Sequence, residues 1–393
     1  MNLRQLLLVA FFVFLVSSIG CAAGSSPPGR TPTTTAPVAT PPAIPTSNLP
    51  PVRQAQGEAP TSQDVAWAKV VEAAKKEGKL TAYSFNWVGD VGLAVQKAFE
   101  SRYGIKLDII TGRGSEFIER IKTERRVHQQ VGDFTEGSPL HLNSMKLSGS
   151  LASVAGELPV IKEQGVWLAE PTAIDTLDKV NLVWRFEVLS PYVNTKLVKP
   201  EDVPGSWKDV LDPKWTGKMS LGDPNIQSTF SRVMVVLTDN GAWNEDYIKA
   251  LYKQKPGFTT GGADDFSRLA RGEASLVICG AEGTAAKFIV EGAPIQPIDI
   301  REGVVFSSGS MAAIAGGPNP NATKVFINWV LSQEGQTVTS RAQSIKVLRK
   351  DVADFRPKGA QVQYTRPLVE SIQHLEKSTQ MFQEKWFDKL VGR

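Results

Sequence analysis

Cysteine is nearly absent from this 393-residue chain, with two residues, Cys21 and Cys279, and histidine is scarce, with three. Two cysteines exclude a disulfide framework and any zinc site built from several thiolates. His128, His141 and His374 share no metal-ligand spacing. An excess of one charge is also missing: 44 basic side chains stand against 40 acidic ones. Three arginines and one acid fall in residues 1–60, so residues 61–393 carry 41 basic and 39 acidic groups. Such balance argues against nucleic acid as a partner. No Walker sequence occurs, and Gly112-x-Gly114 lacks the remaining glycine of a dinucleotide loop. What is present is a globular composition, 41% hydrophobic with 9 Trp and 17 Phe, long enough for large buried cores.

The longest apolar run, Leu6–Val16, is eleven residues. That is too short for a membrane-spanning helix, which needs about 20. With Arg4 before it and Ser17-Ser18-Ile19-Gly20-Cys21 after it, residues 1–21 read as an export signal. The end of that segment resembles the lipobox of bacterial lipoproteins, with Ser18 where an aliphatic residue is usual. The resemblance implies a lipid on Cys21 and a membrane anchor. Residues 22–60 hold ten prolines among Ala, Thr and Ser. They read as a disordered, extended tether.

Beyond residue 61, strand and helix patterns alternate. A helix is predicted over 62–77, closed by Gly78, and a buried strand over 79–84. A helix from Asp90 to Tyr103, a strand over 105–111 and a helix over 116–127 follow. The pattern resumes with a strand at 218–222 and a helix from Ser228 or Thr229 to Leu237. Then come a helix over 264–271, a strand over 274–280 and a helix over 282–291. Helices over 321–331 and 367–390 end the chain. This alternation implies an α/β chain with mostly parallel sheets in two lobes.

Several runs carry a family resemblance: Val193-Asn194-Thr195-Lys196-Leu197-Val198, Ser206–Lys218 with its Leu211-Asp212-Pro213-Lys214-Trp215 core, Pro318–Ala322, and Phe326–Gln336. They resemble the extracellular solute-binding proteins of ABC importers, in the branch of the ferric-iron-binding proteins. The resemblance implies a type II periplasmic-binding-protein fold, two α/β lobes joined by hinge strands that close on a solute. It implies a first lobe over 61–165 and a second over 166–298. Residues 299–393 then return to the first lobe and add C-terminal helices. Expected partners are a small-molecule solute and ABC permease subunits, for a monomeric binding protein at the membrane's outer side. No catalytic group and no cofactor are expected. A sensor or scaffold lipoprotein on the same fold is the alternative. The motifs themselves read as structural, with Trp215 packed under a strand and Phe326, Ile327, Val330 and Leu331 in a helix core.

Four loops are expected to face the cleft. In Ser84–Trp87, Ser84 and Asn86 offer hydrogen bonds, while Trp87 is either a stacking platform or a core residue. In Gly112–Ser115, Gly114 and Ser115 open a helix beside Arg113, a candidate partner for carboxylate or phosphate if it is not a solvated turn residue. Ser228 and Thr229 are cap positions that can also meet an anion. Glu282 lies at the fourth loop. Where the family's ferric site places two adjacent tyrosines, this chain reads Cys279-Gly280-Ala281-Glu282-Gly283-Thr284. Its first-lobe loop has no His. The expected solute is therefore an organic anion or a metal chelate, with direct ferric binding as the alternative.

Overall fold

The computed structural model describes residues 61–226 and 229–392. The export segment, Cys21, the tether 22–60 and Ser228 lie outside the described residues.

The first α/β units form where the sequence signals put them. Helix α1 (Ser62–Glu77) starts at Thr61, whose hydroxyl accepts the Asp64 N–H at 3.2 Å, while Asp64 accepts the Thr61 N–H at 2.9 Å. It stops at Gly78, which takes the left-handed φ of 71°. Strand β1 (Lys79–Ser84), α2 (Asp90–Tyr103), β2 (Lys106–Thr111), α3 (Gly114–Arg126), β3 (Phe134–Gly137), α4 (Pro139–Leu147) and the short β4 (Leu151–Ala152) complete the first run. Strand β5 (Leu182–Asn194) then leads to β6 (Met219–Gly222), α5 (Thr229–Asp239), α6 (Glu245–Lys253), β7 (Gly257–Thr259), α7 (Ala263–Arg271), β8 (Leu276–Ala281), α8 (Glu282–Val290) and β9 (Ile295–Pro297). Strand β10 (Val304–Ile314), α9 (Pro320–Leu331), α10 (Gln333–Gln343), β11 (Pro367–Val369), α11 (Ile372–Gln383) and α12 (Trp386–Val391) follow.

The strands hydrogen-bond in the order β2-β1-β3-β10-β5-β8-β6-β7. Lobe 1 is the parallel set β2-β1-β3, closed by antiparallel β10; lobe 2 is the parallel set β7-β6-β8, closed by antiparallel β5. The two lobes thus repeat one topology that no sequence period announces. Each lobe buries apolar side chains on both sheet faces. Consecutive Ala82 and Tyr83 belong to different clusters, as do Val277 and Ile278. Of residues 299–393, α9 packs on α1 and α10 on α2 in lobe 1, whereas α11 packs on α5 and α12 on α6 in lobe 2. Helix α11 also meets α4 of lobe 1, where the Asn143 side-chain amide donates to Glu376 at 3.0 Å.

The single helix expected over 367–390 is corrected. Pro367 begins β11 at the sheet edge, where no ladder N–H is needed from it. Ser371 then caps α11, and Lys385 at φ 49° separates it from α12. The motif residues behave as packing residues. Trp215 is buried and its indole N–H donates to the Asp209 carbonyl at 3.0 Å, while Phe326, Ile327, Val330 and Leu331 are fully buried. No helix among the described residues is long and apolar enough to cross a membrane.

Candidate functional site

Two long strands, and the segment between α10 and α11, carry the chain between the lobes. β5 pairs with β8 from Leu189 onward, and β10 pairs with β3 from Ser310 onward. Between those limits, Arg185–Glu187 and Ser307–Gly309 pair with each other at a narrow waist. The carboxyl ends of β1, β2 and β3 approach this waist from one side, and those of β6, β7 and β8 from the other. A cleft at such strand ends is the usual ligand position in open α/β sheets.

Arg185 and Glu187 stand at the waist. Strand alternation sets them on one side of β5, with Cα atoms about 7 Å apart. Their partners on β10 are Gly309 and Ser307. A Cβ at Gly309 would lie 2.8 Å from Arg185 Cγ and 2.9 Å from its Nε, so only glycine lets this side chain lie flat on the strand. Arg185 is 8% exposed. Its Nη2 donates to Asn86 Oδ1 at 3.0 Å, its guanidinium stands 5.3 Å from the Trp184 ring, and its buried Nε has no acceptor. Glu187 makes no hydrogen bond or ion pair among the described residues, and its Oε1 lies 3.4 Å from where a Gly283 Cβ would stand.

The lobe 1 wall is organised by Glu136 at the end of β3, a buried carboxylate. It accepts the Ser84 hydroxyl, the Asn86 N–H at 2.6 Å and the Asn86 side-chain amide at 2.6 Å. Burial pushes the Glu136 carboxyl up, against the pull of those donors and of Arg185. Asn86 is therefore oriented from behind, with its Oδ1 left to Arg185. Ser84 is fully buried in this anchor. Trp87, expected as a possible stacking platform, is corrected to a core residue. It is 1% exposed, stacked on Phe134 at 5.6 Å and edge-on to Trp184 and Phe326. Its side chain fills lobe 1 because the loop after Ser84 turns inward, where the Trp87 N–H donates to Ser84 Oγ at 2.9 Å. The exposed ring at this loop is Phe85.

At the end of β2, Arg113 is exposed and makes no ion pair among the described residues; its N–H donates to Glu116 at 3.0 Å. Gly114 is buried, and a Cβ there would lie 2.3 Å from His141 Nδ1. Glycine at 114 thus serves the approach of α3 to α4. Ser115 is exposed on the first turn of α3.

On the lobe 2 wall, half-buried Thr229 opens α5. One turn on, Arg232 grips Glu370 with two nitrogens, Nε at 2.9 Å, and donates to the Ser307 hydroxyl on β10. Glu282 is the first residue of α8 and is 1% exposed. Its Oε1 pairs with Arg356, which also holds Asp354 through Nε at 2.9 Å and Nη2 at 2.6 Å. Burial pushes the Glu282 carboxyl up, Arg356 opposes this, and Glu187 adds to the rise. The other oxygen, Oε2, is buried with no donor.

Arg185, Glu187, Arg232 and Glu370 escaped the sequence reading. The one signal available was a pair of charges, Arg185 and Glu187, inside the apolar run Leu182–Leu189. As a metal site the arrangement is poor: no group of three or more His, Cys, Asp and Glu able to hold a metal occurs among the described residues. Tyr192 is buried against Phe266, and Tyr364 sits 3.2 Å from Ser190 Oγ; burial holds both phenols protonated. A concavity of about 350 Å³ that includes Leu93, Gln96 and Asp108 is formed by lobe 1 alone.

Residues 90–342 match the family model described as bacterial extracellular solute-binding protein. An uncharacterized protein of Haemophilus influenzae is 28% identical over 165 residues, 40% of this chain; that alignment spans only about half of the relative, 46% of its length. Among solved structures, the periplasmic binding protein AfuA from Actinobacillus pleuropneumoniae, with exogenous fructose-6-phosphate bound, is 20% identical with a TM-score of 0.60. It aligns over 80% of this chain and 98% of its own. The Trichodesmium protein IdiA (FutA), in complex with iron and citrate ligands, is 15% identical with a TM-score of 0.66, over 80% of this chain and 99% of its own. At these identities the structures establish a shared fold.

Proposed function

The chain belongs to the bacterial extracellular solute-binding proteins, and from that premise we propose that it captures a small organic anion between its lobes for an ABC importer. The observation that carries the anion is Arg185. Its guanidinium is buried at the waist and, among the described residues, is held by one bond to Asn86 and keeps an Nε–H without an acceptor. A carboxylate or phosphate can complete that fork. Arg113 adds an unpaired charge from β2, and Ser115, Thr229 and the amino ends of α3 and α5 add donors suited to an anion. Ser84 and Asn86 act mainly through Arg185.

Closure follows from the waist. The paired strands can flex there, and closing removes water from the cleft, which strengthens each charged contact. The permease would then read both lobe surfaces in their closed relation. A lipid on Cys21 and the tether would hold the protein, read as a monomer, close to the outer face of the membrane.

Bare ferric iron is the second reading, favoured by the iron and citrate ligands of the Trichodesmium structure. A hard trivalent cation needs several anionic oxygens, and burial keeps the phenols of Tyr192 and Tyr364 protonated. A ferric chelate of an organic acid stays within the proposed class. Calorimetric titration with fructose 6-phosphate, ferric citrate and free ferric iron tests the proposal. Heat with either anion that disappears in Arg185→Gln supports it. Heat with free iron alone overturns it.

A further inference from the structure

We propose that the captured anion also carries a protonated amine, seated against Glu187 and Glu282 on the lobe 2 side while its anionic group meets Arg185; this rests on the anion reading above. Arg185 and Glu187 are opposite charges two residues apart on one strand, yet they form no ion pair with each other. Each turns to a different lobe, Arg185 to Asn86 and Glu187 to the start of α8 beside Gly283. Neighbouring charges held apart in this way leave a dipolar gap.

The lobe 2 side of that gap is short of cations. Glu187, Glu282, Glu370 and Asp354 face three cations, Arg232, Arg356 and Lys346, the last acting on Asp354, and both arginines are already engaged by Glu370 and by the Glu282–Asp354 pair. Among the described residues Glu187 has no partner, and Glu282, itself buried, keeps an oxygen that no donor reaches. An anion without a cationic end would meet this surface as a repulsion once closure removed the water. An ammonium supplies three donors and the missing charge; a hydroxyl supplies one donor and no charge.

The test is calorimetry at pH 7 with two matched pairs: glucosamine 6-phosphate against glucose 6-phosphate, and 2-aminoethyl phosphate against 2-hydroxyethyl phosphate. The amino member of at least one pair is expected to bind about tenfold tighter or better, equivalent to about 1.4 kcal/mol. Glu187→Gln should erase that preference, weakening the amino member while the hydroxyl member binds no more weakly than it does to the parent. Hydroxyl members that bind as tightly as the amino members overturn the amine and leave the anion reading standing. Binding by no member of either pair overturns the amine, and the anion reading falls with it where fructose 6-phosphate and ferric citrate also give no heat.

Discussion

Arg356→Met isolates the clamp that fixes the start of α8. The Arg356 and Glu282 side chains are 2% and 1% exposed, so the variant strands a carboxylate in a dry position. Breaking a buried pair from one side costs about 3–5 kcal/mol. Asp354 is 38% exposed, and its loss of Arg356 adds under about 1 kcal/mol after screening. The amino end of α8 returns about 0.3–1 kcal/mol to the ionised Glu282. A net cost of about 3 kcal/mol results. At about 2–4 °C per kcal/mol, calorimetry should show a melting temperature lower by about 6–12 °C. The pH dependence has a definite sign. The folded-state pKa of Glu282 is raised by burial, and losing Arg356 raises it further. A raised carboxyl gives its full stability below the unfolded value of about 4.3 and loses it as pH rises through the folded value. The deficit of Arg356→Met should therefore be largest at neutral pH and shrink on acidification. Adding Glu282→Gln should recover about half of it. A variant melting within about 2 °C of the parent, or a deficit that grows as pH falls, would refute the clamp.

Three further outcomes follow from named contacts. Glu136→Gln puts an amide donor against the Asn86 side-chain amide or forces Asn86 to flip its donor toward Arg185. Titration should show about tenfold weaker anion binding, with thermal stability changed by under about 2 kcal/mol. Gly114→Ala drives a methyl into the His141 ring and should lower stability by about 1–3 kcal/mol in urea unfolding. At Asp175, burial pushes the carboxyl up, but Lys146 at 2.7 Å and the amides of Asn181 and Val180 outweigh it and hold it low. A lowered carboxyl contributes stability above the unfolded value of about 3.9 and loses it as pH falls through the folded value. Asp175→Asn should thus cost about 1–2 kcal/mol at pH 7 and progressively less below about pH 4, read from melts across pH.

Local signals carried the fold far. Helix α1 was legible because Thr61, Asp64 and Gly78 punctuate it, and α7 because Gly272 stops it in the left-handed region. β1 and β8 are short apolar runs between such markers. The hinge strands were not legible. β5 contains Arg185, Glu187 and Pro191, which break any apolar alternation, and Ser307-Ser308-Gly309-Ser310 in β10 has the composition of a turn. Their extended form comes from pairing with each other over a sequence gap longer than 100 residues. The candidate site was legible only as loops: Arg113 and Ser115 stand at the start of α3 and Glu282 at the start of α8. Its floor was hidden for the same reason as the hinge. Arg185 meets Asn86 across 99 positions, and Arg232 meets Glu370 across 138. Trp87 was ambiguous because only the inward turn after Ser84, itself dependent on Glu136 from another strand, decides where the ring goes.

The central claim, capture of an organic anion at Arg185, is tested most directly by thermal shift of the protein and of Arg185→Gln. The panel is fructose 6-phosphate, glucosamine 6-phosphate, ferric citrate and free ferric iron. A ligand at 100 times its dissociation constant adds about 2.7 kcal/mol. A rise with one of the anions in the parent and none in the variant is the predicted result. A rise with free ferric iron alone, equal in parent and variant, would contradict it.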